Sequence, residues 1–221
     1  RLGVIMDPDG DRIRFTDGNV DISMNHFGAM ALHFLHEYKH ISGVLVKSVA
    51  TSNFGNAIAG KLNIPIRETA VGFKNFRPYM LQDAKERAIL SYEESDGISG
   101  YNNTLEKDAM FGLFLAIEMM AATGKNIGAY LHELEEKFGA YFPERASIEV
   151  DRSLAGAPLL KRLSCLKDKL SVGSTVTVGK NTKKIKAVIS VDGIKVVLDD
   201  DSWLLIRPSG TEPKVRFYVE T

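Results

Sequence analysis

Gly43-Val44-Leu45-Val46 is the stretch that decides the fold. It is apolar without alternation, as in a strand buried on both faces, and such strands belong to parallel sheets covered by helices. Its flanks agree. Upstream, Phe27, Met30, Ala31, Phe34, Leu35 and Tyr38 recur at helical spacing and predict a helix over about 24–39. Downstream, residues 53–62 read as helix, 64–67 as strand, 72–82 as a helix begun after Gly72, and 88–92 as another strand. Residues 107–122 form a strongly apolar helix stopped at Thr123-Gly124. Residues 127–138 carry Ile127, Tyr130, Leu131, Leu134 and Phe138 on one stripe, with Gly139 placed to end the helix. At the front, residues 2–6 read as a short strand, and Asp17-Gly18-Asn19 marks a hairpin turn within 13–22. The alternation predicts an α/β domain of three layers with a mixed sheet.

The pattern changes near Pro143. A strand at 147–151 and a helix at 155–170 are followed by strand-like runs at 185–191, 194–198, 203–207 and 215–219, joined by turns such as Asp192-Gly193. That succession predicts a smaller α+β domain with an antiparallel sheet. The expected boundaries are 1–20, 21–143 and 144–221. The chain opens on Arg1 just before a strand and closes at Thr221 just after one, so it reads as a piece of a longer protein.

Composition narrows the function. Of 221 residues, 44% are hydrophobic and 25% charged, ordinary for a globular protein. Lysine plus arginine and aspartate plus glutamate both number 28, so nothing favours nucleic acid or an anionic membrane as a partner. The longest apolar stretch, 110–122, is broken by Glu118 and too short to span a bilayer. The single cysteine, Cys165, excludes an internal disulfide, suits a reducing cytoplasm and reads as structural.

Four segments carry chemistry. Asp7-Pro8-Asp9-Gly10-Asp11-Arg12 puts three carboxylates at alternate positions, suited to a hard cation if Gly10 lets the chain curl. An EF-hand is excluded, because loop positions six and twelve are Arg12 and Gly18 rather than glycine and glutamate. Arg207-Pro208-Ser209-Gly210-Thr211-Glu212-Pro213-Lys214 lies between two strand-like runs and offers a guanidinium, hydroxyls and backbone N–H groups to a phosphate. It lacks the Gly-Lys-Ser/Thr of a Walker loop. Glu93-Glu94-Ser95-Asp96-Gly97 ends a strand, where open α/β sheets bind ligands. Lys74 follows Gly72-Phe73, and Lys107 opens a helix whose dipole it opposes, so a functional use is weighed against a plain surface lysine.

Other features have simpler readings. His26, His33, His36 and His40 read as a solvated helix face, and Thr51-Ser52-Asn53 as a helix cap. No serine has an evident base beside it in sequence. A phosphatase using Asp7-Pro8-Asp9 as nucleophile is a remote competitor.

In order and spacing these four segments resemble the α-D-phosphohexomutases, the phosphoglucomutase/phosphomannomutase superfamily. Asp7 to Arg12 looks like the metal loop, Gly72-Phe73-Lys74 like a segment of the third domain, Glu93 to Gly97 like the sugar loop, and Arg207 to Pro213 like the phosphate loop of the fourth domain. The resemblance implies that Asp7, Asp9 and Asp11 hold Mg²⁺, that Arg12 steadies that site, and that Lys107 is an acid/base. It implies that Glu93 and Ser95 meet the sugar, that Lys74 binds the substrate, and that Arg207, Ser209, Gly210 and Thr211 grip a phosphate. The chain would hold the end of the second of four domains, all of the third, and most of the fourth without its last helix. The phosphorylated serine of a Thr-Ala-Ser-His-type segment would lie in domains outside it. Glucose phosphate is expected ahead of mannose phosphate. A non-catalytic fragment that binds phosphosugar or metal is the alternative. Two departures stand out: Tyr92 where many members have glycine, and Asp96-Gly97 where several have Gly-His.

Overall fold

The computed structural model describes residues 1–151, 157–167, 169–209 and 213–221. It divides into two units, Arg1–Tyr141 and Phe142–Thr221. The first begins with an antiparallel sheet of β1 (Gly3–Met6), β2 (Ile13–Thr16) and β3 (Asp21–Ile22). Between β2 and β3, the Asp17 carboxylate accepts the N–H groups of Asn19 and Val20, at 2.9 and 3.0 Å, and so closes the expected turn. Then come α1 (Met24–Glu37), β4 (Val44–Ser48), α2 (Phe54–Lys61), β5 (Ile66–Thr69), a 3₁₀ turn at Phe73–Asn75, α3 (Arg77–Met80), β6 (Ala88–Glu93), β7 (Gly97–Gly100), α4 (Ala109–Thr123) and α5 (Ile127–Phe138).

The second sheet has the order β5-β4-β6-β7. β4 pairs in parallel with both β5 and β6, while β7 folds back antiparallel on β6. This is the expected mixed sheet, with all five residues of β4 buried. Alternate β4 residues face different cores. Leu45 joins the large cluster formed with α1, α2, α4 and α5, whereas Val44 and Val46 join Phe73, Phe76 and Ala88. The second helical layer is thin because Pro78 confines the segment after Gly72 to a 3₁₀ turn and a four-residue helix in place of one helix over 72–82. β7 is an addition to the predicted strands.

α1 is sunk almost all round, with Phe27 to Leu35 buried. This overturns the solvated-face reading for one histidine. His33 is 5% exposed, and its Nδ1 lies 2.7 Å from the Tyr130 hydroxyl of α5. Burial first, then the charge of Lys137, pushes its imidazole down to about 4, so it sits neutral in the core. His26 is half-buried against the Tyr141 carbonyl, and only His36 and His40 lie toward solvent.

The second unit is a six-stranded antiparallel sheet of order β8-β13-β12-β11-β10-β9. Its strands are β8 (Pro143–Glu149), β9 (Thr175–Val178), β10 (Asn181–Ile189), β11 (Ile194–Leu198), β12 (Trp203–Pro208) and β13 (Lys214–Glu220), with α6 (Ala157–Lys167) after β8. β8 starts earlier than expected, and Pro143 is tolerated because the strand lies at the sheet edge. Ile185, Ile194, Val196 and Leu198 form a core with Leu163 and Leu166 of α6. Cys165 is exposed, against the structural reading.

Tyr92 shows how the first unit accommodates a bulky residue. Its ring is fully buried. A Cβ at Gly28 of α1 would come 2.3 Å from the ring, and one at Gly55 of α2 would come 2.3 Å from the hydroxyl. Both helices thus give up a side chain where Tyr92 enters. Gly28→Ala gains helix propensity of about 0.5–1 kcal/mol but meets overpacking of about 1–3 kcal/mol. Net destabilisation in urea unfolding is the expected outcome. In a Tyr92→Ala background the same substitution should become neutral or stabilising.

Candidate functional site

The acidic loop curls at Gly10, whose φ is +69°, and its three aspartates take different roles. Asp7 Oδ1 accepts the backbone N–H groups of Asp11 and Arg12, both at 3.2 Å. Burial alone would raise the Asp7 carboxyl, but these donors, with Arg12 nearby, outweigh it and hold it below the usual range. Asp9 is exposed. Asp11 Oδ2 pairs with Lys107 Nζ at 3.0 Å, while Oδ1 is buried without a hydrogen-bond partner. Arg12 is exposed and lies 3.6 Å from Asp7 and 3.9 Å from Asp11. Among the described residues no three metal-ligating side chains converge into a cage. The donor chemistry still fits a hard cation: all-oxygen ligands, one of them an orphaned carboxylate oxygen.

The β6–β7 turn lies against this loop. Ile13 N–H donates to the Asp96 carbonyl at 3.0 Å, and Arg12 bridges Gly97. Arg14 Nε lies 2.9 and 3.0 Å from the two Asp96 carboxylate oxygens. Asp96 takes φ +71°, a left-handed conformation that aspartate tolerates better than most residues. The departure at Asp96-Gly97 therefore has a local reason: Asp96 is the anchor for Arg14, and Gly97 clears space for a lysine. A Cβ on Gly97 would lie 2.3 Å from Lys107 Cδ. Lys107 itself precedes α4, whose cap is Asp108, accepting from Phe111 N–H at 3.0 Å. Its unfavourable placement near the helix start is answered by Asp11.

Glu93 ends β6, 4% exposed, with Oε2 buried and unpartnered. Burial, then the neighbouring Glu94, pushes its carboxyl up; Ser95, Lys107 and the Gly72 N–H pull it back only in part. The Gly72 N–H ties the Gly-Phe-Lys segment to the sugar-type loop. Ser95 is half-buried at the turn, and Lys74 is exposed in the 3₁₀ turn. Glu94 points elsewhere: its Oε2 accepts from Ser48 Oγ at 2.8 Å. Beside it Lys47, fully buried, donates to the carbonyls of Thr51 and Ser52 and pairs with Glu68 at 3.0 Å. Ser52 Oγ accepts from Phe54 N–H at 3.0 Å, and Asn53 provides no side-chain cap. Sequence reasoning missed Arg14, Glu94, Lys47 and Ser48. For Lys47 the signal was present, a lysine closing an otherwise apolar parallel strand.

In the second unit Arg207 is 9% exposed on β12, its Nη2 at 3.0 Å from Asp192 Oδ2. Ser209 N–H donates to the Lys214 carbonyl at 2.8 Å. Gly210 and Thr211 lie outside the described residues.

The fold defines the class first: an α/β unit with a mainly parallel sheet whose acidic and carboxylate loops meet, then an antiparallel α+β unit carrying an arginine loop. The chain belongs to the phosphoglucomutase/phosphomannomutase family. The family's alpha/beta/alpha domain III matches residues 23–138 and its C-terminal domain matches 172–221. A phosphoglucomutase of Staphylococcus haemolyticus is 26% identical over 99% of this chain and 44% of its own length. A phosphoglucomutase/phosphomannomutase of Thermococcus kodakarensis is 27% identical over 99% and 43%. The chain thus spans less than half the length of these relatives. In fold it is similar to parafusin, a phosphoglucomutase of Paramecium, with TM-score 0.74 and 21% identity over all of this chain and 40% of that one. A Burkholderia thailandensis family protein gives 0.75 and 14% over all of this chain and 42% of its own. Among the described residues no helix is long and apolar enough to cross a membrane.

Because the folded Glu93 carboxyl is raised, the folded protein holds a proton that the unfolded chain releases as pH rises above about 4.5. Its contribution to stability is therefore lost on going up through that window. Glu93→Gln should raise the thermal midpoint near pH 7 and leave it unchanged below pH ~4, where both states are protonated. A variant no more stable than wild type at neutral pH would contradict the buried-charge account.

Proposed function

We propose that the chain is the substrate-holding part of a phosphohexomutase, which interconverts hexose 1-phosphate and hexose 6-phosphate, with glucose phosphate ahead of mannose phosphate. One observation carries the reading. The buried, unpartnered Oε2 of Glu93 stands on the same turn that Lys107, Asp11 and the acidic loop brace. A lone buried acceptor suits a sugar hydroxyl, and Ser95 beside it can donate or accept. Lys74 would contact the same substrate.

Asp7, Asp9 and Asp11 would hold Mg²⁺, which would neutralise charge on a phosphoryl group in transfer. Arg12 would steady the same charge from outside. Lys107, kept at the loop as an ammonium by Asp11, would donate a proton to the reacting oxygen and, as the free amine, take one back in the reverse step. Arg207 and Ser209, with Gly210 and Thr211, would grip the phosphate that is not transferred. The phosphorylated serine would be supplied by further domains of the same protein, since no Thr-Ala-Ser-His-type segment occurs in the 221 residues. The acidic loop then activates that phosphoserine instead of acting as a nucleophile, and a cytoplasmic setting fits the substrate.

Two measurements test the assignment. The isolated chain should bind inorganic phosphate weakly, on the order of millimolar, when followed by NMR. Arg207→Ala should abolish this binding, through loss of a charge-assisted contact worth about 1.5–3 kcal/mol, and Glu93→Ala should leave it unchanged. The isolated chain should show no conversion of glucose 1-phosphate. Measurable turnover by the pure 221 residues would refute the need for an external phosphoserine.

A further inference from the structure

Arg207 is held from the side by a turn that sequence reading treats as a mere connector. Asp192 and Gly193 join β10 to β11, and Asp192 Oδ2 lies 3.0 Å from Arg207 Nη2, with both side chains largely covered. The turn is pressed onto the arginine. Gly193 takes φ +88°, and a Cβ there would lie 2.3 Å from the Ile206 carbonyl, 2.8 Å from Arg207 Cβ and 2.9 Å from Arg207 Cα. Glycine is thus required twice over, for the backbone conformation and for the close approach. Across the sheet, Arg216 of β13 stands directly opposite Arg207. Arg207 Nε is buried without a hydrogen-bond partner among the described residues. The guanidinium is thus engaged by Asp192 and by the Tyr218 hydroxyl, and its Nε has donor capacity left over.

We propose that Asp192 is a positioning residue for the phosphate-gripping arginine: it fixes one edge of the Arg207 guanidinium so that the remaining N–H groups are presented as a fork to an incoming phosphate. The inference rests on the reading of Arg207 given above. The physical gain is preorganisation. An arginine loses rotamer freedom when it binds an anion, and a guanidinium already oriented has less to lose. Burial disfavours the charged form, but the Asp192 charge and the Tyr218 hydroxyl more than compensate, so the guanidinium stays charged before any ligand arrives.

The test uses the 221-residue chain, inorganic phosphate as probe, and NMR of the arginine side-chain N–H signals. In the phosphate-free wild type, Arg207 should give restricted, resolved guanidinium signals, and these should collapse in Asp192→Ala. Phosphate binding should weaken about tenfold in Asp192→Ala. Asp192→Asn, whose amide oxygen still accepts from Nη2, should recover to within about threefold of wild type. Should Asp192→Ala not fold, Asp192→Glu carries the test: it keeps the charge but displaces the carboxylate by one methylene, and weakened binding is expected. Wild-type affinity in the Ala or the Glu variant overturns the proposal. So does tighter binding in Asp192→Ala, which would make Asp192 a competitor of phosphate. Arg207→Ala separates the two layers. If it binds phosphate normally, the reading of the loop fails. If it abolishes binding while Asp192→Ala leaves it intact, only the positioning role fails.

Discussion

The docking of the β1–β2 hairpin against the β6–β7 turn is the contact on which the chemistry of the first unit depends. It consists of a backbone hydrogen bond from Ile13 to Asp96, a bridge between Arg12 and Gly97, and the paired contact of Arg14 with Asp96. Lys107 reaches Asp11 across the same seam. The Arg14–Asp96 pair is exposed on the arginine side and worth less than about 1 kcal/mol by itself. Its value is geometric, because together with the backbone bonds it keeps the acidic loop and Glu93 in one frame. The three-stranded sheet also enters the core: Ile13, Phe15 and Ile22 are buried with α1 and α4 residues. Apolar burial supplies the energy, and the polar contacts choose the register.

Polar groups in the interior follow the same division. Lys47 has no solvent exposure, yet it has a carboxylate and two carbonyls as partners. Removing one partner would strand a buried charge, which costs far more than the intact cluster contributes. In the second unit the Trp203 N–H donates to Glu220 at 2.7 Å while Lys195 lies 4.0 Å over its ring. Glu93, like Asp11, keeps a carboxylate oxygen buried and unmet, a cost that folding alone gives no reason to retain.

Much of this was legible in the sequence. The run Val44 to Val46 identified the parallel core, and helical spacing placed α1, α4 and α5 to within about two residues. What escaped has physical causes. β7, Gly97-Ile98-Ser99-Gly100, is half glycine and owes its strand state to β6. β9, Thr175 to Val178, alternates but lies in a stretch rich in glycine and serine. His33 was misread because α1 is buried on nearly every side, so the face opposite its apolar stripe is interior too. The candidate acidic, sugar-type and phosphate-type segments were found by local composition, since each is contiguous. Arg14 with Asp96, 82 positions apart, and Asp192 with Arg207 each join a strand residue to a distant turn, and only the folded chain brings them together.

The separation of 82 residues has a kinetic side. Closing a loop of that length costs entropy before any contact repays it, whereas the β4–α2–β5 unit closes locally. The hairpin seam should therefore form after the parallel core and open before it. The Ile13 amide, bonded to Asp96, is the natural reporter of that opening. If its hydrogen exchange is faster than that of Leu45 or Val46, the acidic loop can part from the sugar-type turn without unfolding the sheet beneath. Equal protection would mean that loop, turn and sheet form one cooperative block.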